Sequence, residues 1–474
     1  MTPFVHWLTI LVHTADRGVI WYFLVVNSFY ALLLFLSIPE VWKHWKITRD
    51  EDLSLYLGSE ALPPISILIP AYNMQASITD SVDAQLALDY PQHEVVVVND
   101  GSTDGTMERL RQAFELYEVP PAFPSRIKTK PVRGFFRSHS HPHLLVVDKE
   151  NGGKADALNV GMSAARYPVV VAVDADTIVV RDALLRLARH FLLGARVAAA
   201  GGTVRVANGC RIERAHVTDA RIPHSFLSAV QVPEYLRAFL FGRLGWNRLG
   251  GNFIVSGAFG LFQRKHLLEI GGYTPGNVCE DLDLVVRLHK HLRAKGEPYD
   301  IPFIPDPVAW TEVPSDLRTH GRQRERWQRG LIVTMINHVR VLLNPRYGVI
   351  GLVTMPFFFF GEMLSPLIEV IGYVLTALGL ALGILSVQFA LLFLAAALGY
   401  QMLLTFWAVV LEEATFRVYG RFSDFLRILG YAVIEPFGYR QLTVYWRLKA
   451  FWNALRGITH WGEMRRRGFE ARPA

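Results

Sequence analysis

From Val19 to Leu36 the chain runs eighteen residues without a charged side chain, and it turns apolar again over residues 348–385 and 388–411. An uncharged run of that length is enough for one helical crossing of a bilayer. In lipid a segment must satisfy its own backbone hydrogen bonds, so these stretches are committed to helix, and the long polar stretch between them is left to fold as a separate body in water. Lys43, His44, Lys46 and Arg49 follow the first run and place that body on the cytosolic side. Only Arg17 closely precedes the run and no small-residue cleavage pattern follows it, so a retained transmembrane helix at about residues 19–40 is expected rather than a signal peptide.

The C-terminal apolar region is less regular. Residues 348–385 are too many for an upright crossing, and a long tilted helix ending at the Gly379/Gly383 turn is expected, with 388–411 crossing back. Glu362 and Glu369 lie seven residues apart, on one face of that helix, which leaves two readings open: a polar path through the bundle, or ion pairs with arginines of a neighbouring helix. Residues 425–455 are broken by Glu435-Pro436. Proline frees backbone groups that lipid cannot satisfy, so a re-entrant or interfacial pair is expected there, returning Arg465, Arg466 and Arg467 to the cytosol. The expected plan is a membrane segment at 1–45, a cytosolic body at 46–330, an amphipathic interfacial helix at 331–346, a membrane region at 347–456 and a basic tail at 457–474. Composition agrees: 51% of residues are apolar and the net charge is +7, which suits phosphates or anionic headgroups. Cys210 and Cys279 make neither a disulfide framework nor a metal spacing, as expected of a reducing compartment.

Within the polar body, Ile65–Ile69, Glu94–Val98, Leu144–Val147 and Val169–Val173 are short β-rich runs separated by helical stretches. Near-continuous apolar strands argue for a parallel sheet buried on both faces, in which ligands bind beyond the carboxyl ends of the strands. The residues at those ends are Tyr72-Asn73, Asn99-Asp100-Gly101-Ser102, Asp148 and Asp174-Ala175-Asp176. Two carboxylates at the end of a buried strand repel each other unless a cation joins them, so Asp174 and Asp176 are the candidate ligands for Mg2+ or Mn2+. Asn151-Gly152-Gly153-Lys154 opens a helix whose N-terminus favours an anion, without the ending of a Walker loop. Glu280 and Asp281 open another helix, where acidic residues are favoured electrostatically whatever their role. Gln323-Arg324-Glu325-Arg326-Trp327 stands at the membrane edge, where a basic belt with an interfacial tryptophan is the plain alternative. His139, His141 and His143 alternate without a carboxylate or cysteine to complete a zinc site, and a solvated loop is expected over Arg126–His143.

In this order and spacing, the motifs resemble those of the processive membrane glycosyltransferases of family 2, the group of the cellulose, hyaluronan, chitin and poly-N-acetylglucosamine synthases. The resemblance implies a GT-A, Rossmann-like α/β domain combined with an α-helical transmembrane region. It also implies roles. Tyr72, Asn73 and Asp100 would meet the uridine, Lys154 and Asp174 the diphosphate, and Gln323 and Arg326 would complete the donor site. Asp281, beside Glu280, would be the catalytic base; Trp327, Ser256 and Gly257 would meet the acceptor. Two positions depart from the pattern: Met74-Gln75 stand where relatives carry an acid, and Cys279 begins the acidic triplet.

The function expected is inverting transfer from a UDP-sugar, N-acetylglucosamine or glucose, to a growing β-linked polysaccharide at the inner membrane. The partners expected are the donor, a polysaccharide or lipid acceptor and membrane lipids, not nucleic acid, with room for a separate export or regulatory subunit. Two other readings stay open. Addition of a single sugar to a lipid needs fewer crossings and no saccharide channel, and a non-catalytic nucleotide-sensing receptor would tolerate a decayed site.

Overall fold

The computed structural model describes residues 3–49, 52–121, 126–194, 196–213 and 216–457; the arginine-rich tail therefore lies outside the described residues. In chain order the strands are β1 (Ile65–Ala71), β2 (His93–Asp100), β3 (Leu116–Val119), β4 (Val132–Ser138), β5 (Leu144–Lys149), β6 (Val169–Val173), β7 (Thr177–Val179), β8 (Ala199–Val206), β9 (Arg211–Glu213), β10 (His216–Asp219), β11 (Phe259–Gln263) and β12 (Phe303–Thr311). Successive side chains of a strand face opposite ways. Ile65, Ile67 and Ile69 of β1 pack with Val95 and Val97 of β2 under the helices Ile78–Leu86, Thr106–Ala113 and Ala183–Leu193. Leu68, Val96 and Val98 pack on the other face, under Lys154–Ala164 and Glu280–Lys295. Both faces are covered, so both sets of positions are apolar, and the strands read as unbroken hydrophobic runs.

Among the described residues one sheet of ten strands runs in the order β3-β4-β5-β2-β1-β6-β11-β8-β12-β7, and β9 and β10 form a separate two-stranded ribbon. The stretch β5-β2-β1-β6 is parallel, as the apolar runs predict. The whole sheet is not: β11 lies antiparallel between β6 and β8, and β3, β4 and β7 are antiparallel to their neighbours. A strand buried on both faces carries no sequence mark of its direction, which is why the mixed character was not visible. The expected loop over Arg126–His143 contains β4, and His139 stacks on Tyr117 with ring centroids 4.2 Å apart.

The first apolar run lies within one helix, Pro3–Thr48. Among the described residues two helices are long and apolar enough to cross a membrane, Thr14–Thr48 and Ala390–Thr415, and a bent pair makes a third if it counts as one span. That pair corrects the single tilted helix expected over 348–385. Ile350–Met363 and Ser365–Ala381 meet at 45°. Pro366 stands in the first turn of the second helix and cannot donate back into the first, and Ile350–Thr354 and Phe357–Met363 are wound as π-helix. Glu362 and Glu369 are ion-paired: Arg440 grips Glu369 at 2.8 and 3.0 Å, and Arg447 stands 3.7 Å from Glu362. Phe422–Ile434 and Tyr439–Leu455 are separate helices broken at Glu435-Pro436. Residue 331, the expected start of an interfacial helix, falls inside the helix Leu317–Asn337, which carries Gln323–Trp327 together with the apolar Leu331, Ile332, Met335 and Ile336.

Two buried ion pairs join the sheet to the apolar helices. Arg205 of β8 reaches Glu412 near the end of the helix Val387–Thr415, with both side chains almost wholly buried. Asp306 of β12 takes His44 of the first helix at 3.1 Å, Arg186 at 2.9 Å and Arg189 at 3.5 Å. Burial alone would raise the pKa of Asp306, but His44, Arg186 and Arg189 outweigh it and bring it down to about 2. Its folded pKa lies below that of an unfolded aspartate, about 4, so its stabilisation is present above pH 4 and lost as pH falls toward 2. Two pKa units correspond to roughly 2–3 kcal/mol. Thermal melts of the wild type should therefore fall steeply between pH 4 and 2, and Asp306→Asn should be less stable at pH 7 with a flatter acid limb; parallel acid limbs for the two proteins would refute this role.

Candidate active site

The carboxyl ends of β1, β2 and β6 open into one cavity of about 2090 Å³, lined by Tyr72, Asn73, Asp100, Lys154, Asp174, Asp176, Ser256, Gly257, Glu280, Asp281, Gln323, Arg326 and Trp327; of the strand-end residues, Asn99, Gly101, Ser102 and Asp148 do not line it. Tyr72 follows β1 and is half exposed. Asn73 has a left-handed φ of +52°. Its backbone N–H donates to Ser102 Oγ at 3.0 Å and its Oδ1 accepts from Thr103 N at 2.8 Å, so it ties the β1 turn to the turn after Asp100. Met74 is buried in the core.

Asp100 is almost wholly buried, and its carboxylate is occupied from within the chain. Lys149 Nζ donates to it at 2.6 Å, Gly152 N at 3.0 Å and Gly153 N at 2.7 Å. The amides of the Gly152-Gly153 turn, expected to face an outside anion, thus face Asp100. Lys149 is itself fully buried and also reaches Asp156 at 2.7 Å.

Lys154, the first residue of the helix that follows, points across the cavity. Its Nζ lies 2.7 Å from Asp174 Oδ1, 2.9 Å from Glu280 Oε1 and 3.1 Å from the carbonyl of Gly257. Burial disfavours its ammonium, yet Asp174 and Glu280 outweigh that and hold its pKa above the ordinary lysine value. Burial likewise pushes Glu280 up, with Lys154 opposing. Asp281 is half-buried at the start of the helix Glu280–Lys295, and a Cβ on Gly257 would stand 3.2 Å from its Oδ2. Ser256, just before, has φ +154°, a conformation that costs a non-glycine residue about 1–3 kcal/mol and gathers at functional sites.

The opposite wall is the helix Leu317–Asn337. Gln323 is buried, Arg326 is half-buried, and Trp327 is exposed to the cavity at 37%. The guanidinium of Arg324 stands 4.7 Å from the Trp327 ring centroid and is held by a two-pronged pair with Glu234 at 2.6 and 2.9 Å. Cys279 fastens this wall to the acidic helix. Its thiol donates to the Trp327 carbonyl at 3.7 Å, and a Cβ on Gly330 would fall 2.2 Å from its sulfur. Glu234, Arg243 and Gly330 were not legible as site residues. Arg243 stacks 3.9 Å from the Phe239 ring centroid and donates to the Val255 carbonyl at 3.0 Å, next to Ser256. An isolated arginine in an amphipathic helix has no pattern to mark it.

The profile described as Glycosyl transferase family 2 matches residues 66–271, and that described as Glycosyl transferase family group 2 matches residues 169–411, just over half of the chain. The chain belongs to this family. It is a glycosyltransferase, and the mixed sheet is the GT-A-like core that the resemblance implied. Poly-beta-1,6-N-acetyl-D-glucosamine synthase of Staphylococcus epidermidis is 28% identical over 267 residues, 56% of this chain and 54% of that protein. The synthase of the same description from Staphylococcus aureus strain COL is 27% identical over 286 residues, 60% of this chain and 58% of that one. The match thus spans little more than half the length of these curated relatives. Among solved structures, the mannosyltransferase PcManGT from Pyrobaculum calidifontis, in complex with GDP-Man and Mn2+, shares the fold at a TM-score of 0.50 and 19% identity, covering 87% of this chain and 98% of that one.

The Cys279–Gly330 contact yields a test of how the two walls are held. Gly330→Ala places a methyl group where the sulfur stands, which forces the helices apart and costs about 1–3 kcal/mol as overpacking. Initial rates should fall and the melting temperature should drop in this variant, and Cys279→Gly/Gly330→Ala, which removes both the sulfur and the Cβ that stands 2.5 Å away, should recover part of both; a Gly330→Ala enzyme with wild-type rate and stability would contradict the contact.

Proposed function

We propose that this glycosyltransferase elongates a β-linked polysaccharide from a UDP-sugar, N-acetylglucosamine or glucose, with inversion at the anomeric carbon. One observation carries the reading. The cavity that gathers the acidic motifs and Gln323, Arg326 and Trp327 continues without a break between the apolar helices, where Glu362, Glu369, Gln401, Arg440 and Arg447 line it. A site for adding one small group has no use for such an extension, whereas a lengthening saccharide needs somewhere polar to go. The likeness to the staphylococcal synthases supports the same product class.

In this reading Tyr72 and Asn73 border the base and Asp100 shapes that wall through the turn it binds. Asp281 accepts the proton of the acceptor hydroxyl as its oxygen bonds to the anomeric carbon and the bond to the diphosphate breaks, releasing UDP. One base and no covalent carboxylate suffice for inversion. Glu280, buried beside it, holds Lys154 in place. Gln323 and Arg326 face the departing diphosphate, where a guanidinium offers charge-assisted hydrogen bonds. Trp327 offers a flat apolar face to the terminal sugar of the acceptor, with Ser256 and Gly257 opposite.

Asp174 and Asp176 fit a divalent cation of the Mg2+ or Mn2+ kind. Such ions are commonly held by one or two carboxylates, with substrate phosphates and water completing the shell. Among the described residues no group of three histidine, cysteine or acidic side chains converges. When bound, the cation neutralises charge on the leaving diphosphate. Lys43, Lys46 and Arg49, at the end of the helix that carries the first apolar run, support a reading with residues 46–330 in the cytosol of a multi-pass inner-membrane protein.

The test is UDP release by the protein in lipid nanodiscs with a panel of nucleotide sugars and Mg2+ or Mn2+, alongside Asp281→Asn. One sugar should turn over, the variant should lose about 10²–10⁴-fold, the usual worth of a general base, and a ladder of lengthening products should appear. A single added sugar would replace polymer synthesis with glycolipid synthesis. Full turnover by Asp281→Asn would remove the proposed base.

A further inference from the structure

Lys154 has three N–H donors, and all three are spent inside the protein, on Asp174, Glu280 and the Gly257 carbonyl. These acceptors come from three separate elements: the turn after β6, the start of the helix Glu280–Lys295 and the loop before β11. The ammonium stands where a cation is electrostatically required, between carboxylates that would otherwise repel one another. One of them, Asp174, belongs to the pair that fits a divalent ion. Lys149, five residues earlier, does the same for Asp100 and Asp156, but it is fully buried, whereas the Lys154 side chain keeps 16% of its surface and Asp174 27%, both on the cavity. Lys149 is built in; Lys154 is within reach of an incoming ligand.

We propose that Lys154 is an internal counter-cation that competes with the divalent metal for Asp174 and gives it up only when a nucleotide diphosphate arrives. The inference rests on the donor site proposed above. The diphosphate offers Lys154 oxygen acceptors in exchange for Asp174, and the freed carboxylate joins Asp176. Metal and nucleotide thereby bind with positive coupling, and by linkage each raises the other's affinity by the same factor. The release of Asp174 also frees Lys154 from the Gly257 carbonyl, so the acceptor-side loop is untied in the same event.

Mn2+ binding to the full-length protein in nanodiscs tests this without turnover, by electron paramagnetic resonance of free Mn2+ with and without UDP. Wild type should bind Mn2+ weakly alone and about tenfold or more tightly with UDP, within the ordinary range of coupling between sites. Lys154→Met should bind Mn2+ about tenfold more tightly than wild type in the absence of UDP, with the UDP effect reduced to what the diphosphate supplies by completing the metal's shell. Lys154→Arg, which keeps the charge and its partners, should behave as wild type, and Asp174→Asn should abolish the tight binding in the Lys154→Met background. Structural damage would weaken binding, so a gain of affinity is not what a merely structural lysine would give. Unchanged or weaker Mn2+ binding by a Lys154→Met protein that melts normally would overturn the proposal. If that variant does not fold, wild type decides alone: equal Mn2+ affinity with and without UDP would overturn it. An enzyme that turns over UDP-sugar but shows no coupling sinks only this inference, and coupling without turnover of any sugar sinks only the proposed function.

Discussion

Two lysines, five residues apart, hold together a wall of carboxylates that would otherwise push itself open. Lys149 binds Asp100 and Asp156, and Lys154 binds Asp174 and Glu280. Each bridges strand ends or helix starts that are distant in sequence, and each lies in a setting where an unpaired charge would be severely penalised. The glycine turn between them is drawn onto Asp100 by two backbone hydrogen bonds, which fixes where the helix Lys154–Ala164 begins and hence where the Lys154 side chain points. From that helix start Lys154 ties Asp174, Glu280 and the Gly257 loop to one another.

The helical walls of the cavity are held to one another by the same means. Arg237 and Glu435 pair at 2.6 Å, Arg440 and Glu369 at 2.8 Å, and Arg324 and Glu234 at 2.6 Å, each along the wall of the cavity. Buried pairs of this kind add little net stability compared with an apolar contact, yet losing one partner is costly because the other is left unpaired. What they supply is register: an arginine fork accepts one carboxylate in one orientation. The cavity is lined by both signs of charge, and several of these groups are paired with one another within the protein. Such a wall presents hydrogen-bonding groups to hydroxyls without a strong net field.

Much of this was legible. The run Val169–Val173 is a strand with those bounds, and Asp174 and Asp176 follow its end. Apolar strands and polar strand ends were readable because burial on both faces leaves a plain local signature. Direction was not, since β11 and β6 look alike in sequence whichever way they run. The bend before Ser365 was missed because hydropathy measures length in lipid and is insensitive to Pro366 in a first helical turn. The internal partners of Asp100 were not legible, because Lys149 and the Gly152-Gly153 amides are some fifty residues away and only the β2–β5 pairing brings them to it. The ion-pair reading of Glu362 and Glu369 and the polar-path reading both describe the same residues, as paired groups on a cavity wall.

The two departures from the family pattern follow from packing. Met74 lies in the core with Ile78, Val82 and Met107, while its backbone N–H donates to Thr106 Oγ1 at 2.8 Å. An acid with its side chain in that place would be buried among apolar neighbours, at a cost of several kcal/mol unless it found a partner or stayed protonated. The backbone path that ties Asn73 to Ser102 and Gln75 to Asp104 therefore leaves position 74 to an apolar side chain. Cys279 is a small residue whose sulfur fills the space that Gly330 leaves open, and a larger side chain on either partner would separate the helix carrying Asp281 from the helix carrying Arg326 and Trp327. The departure at 74 is a core position next to the site, and the one at 279 is a joint between its two walls; neither removes a carboxylate from the cavity.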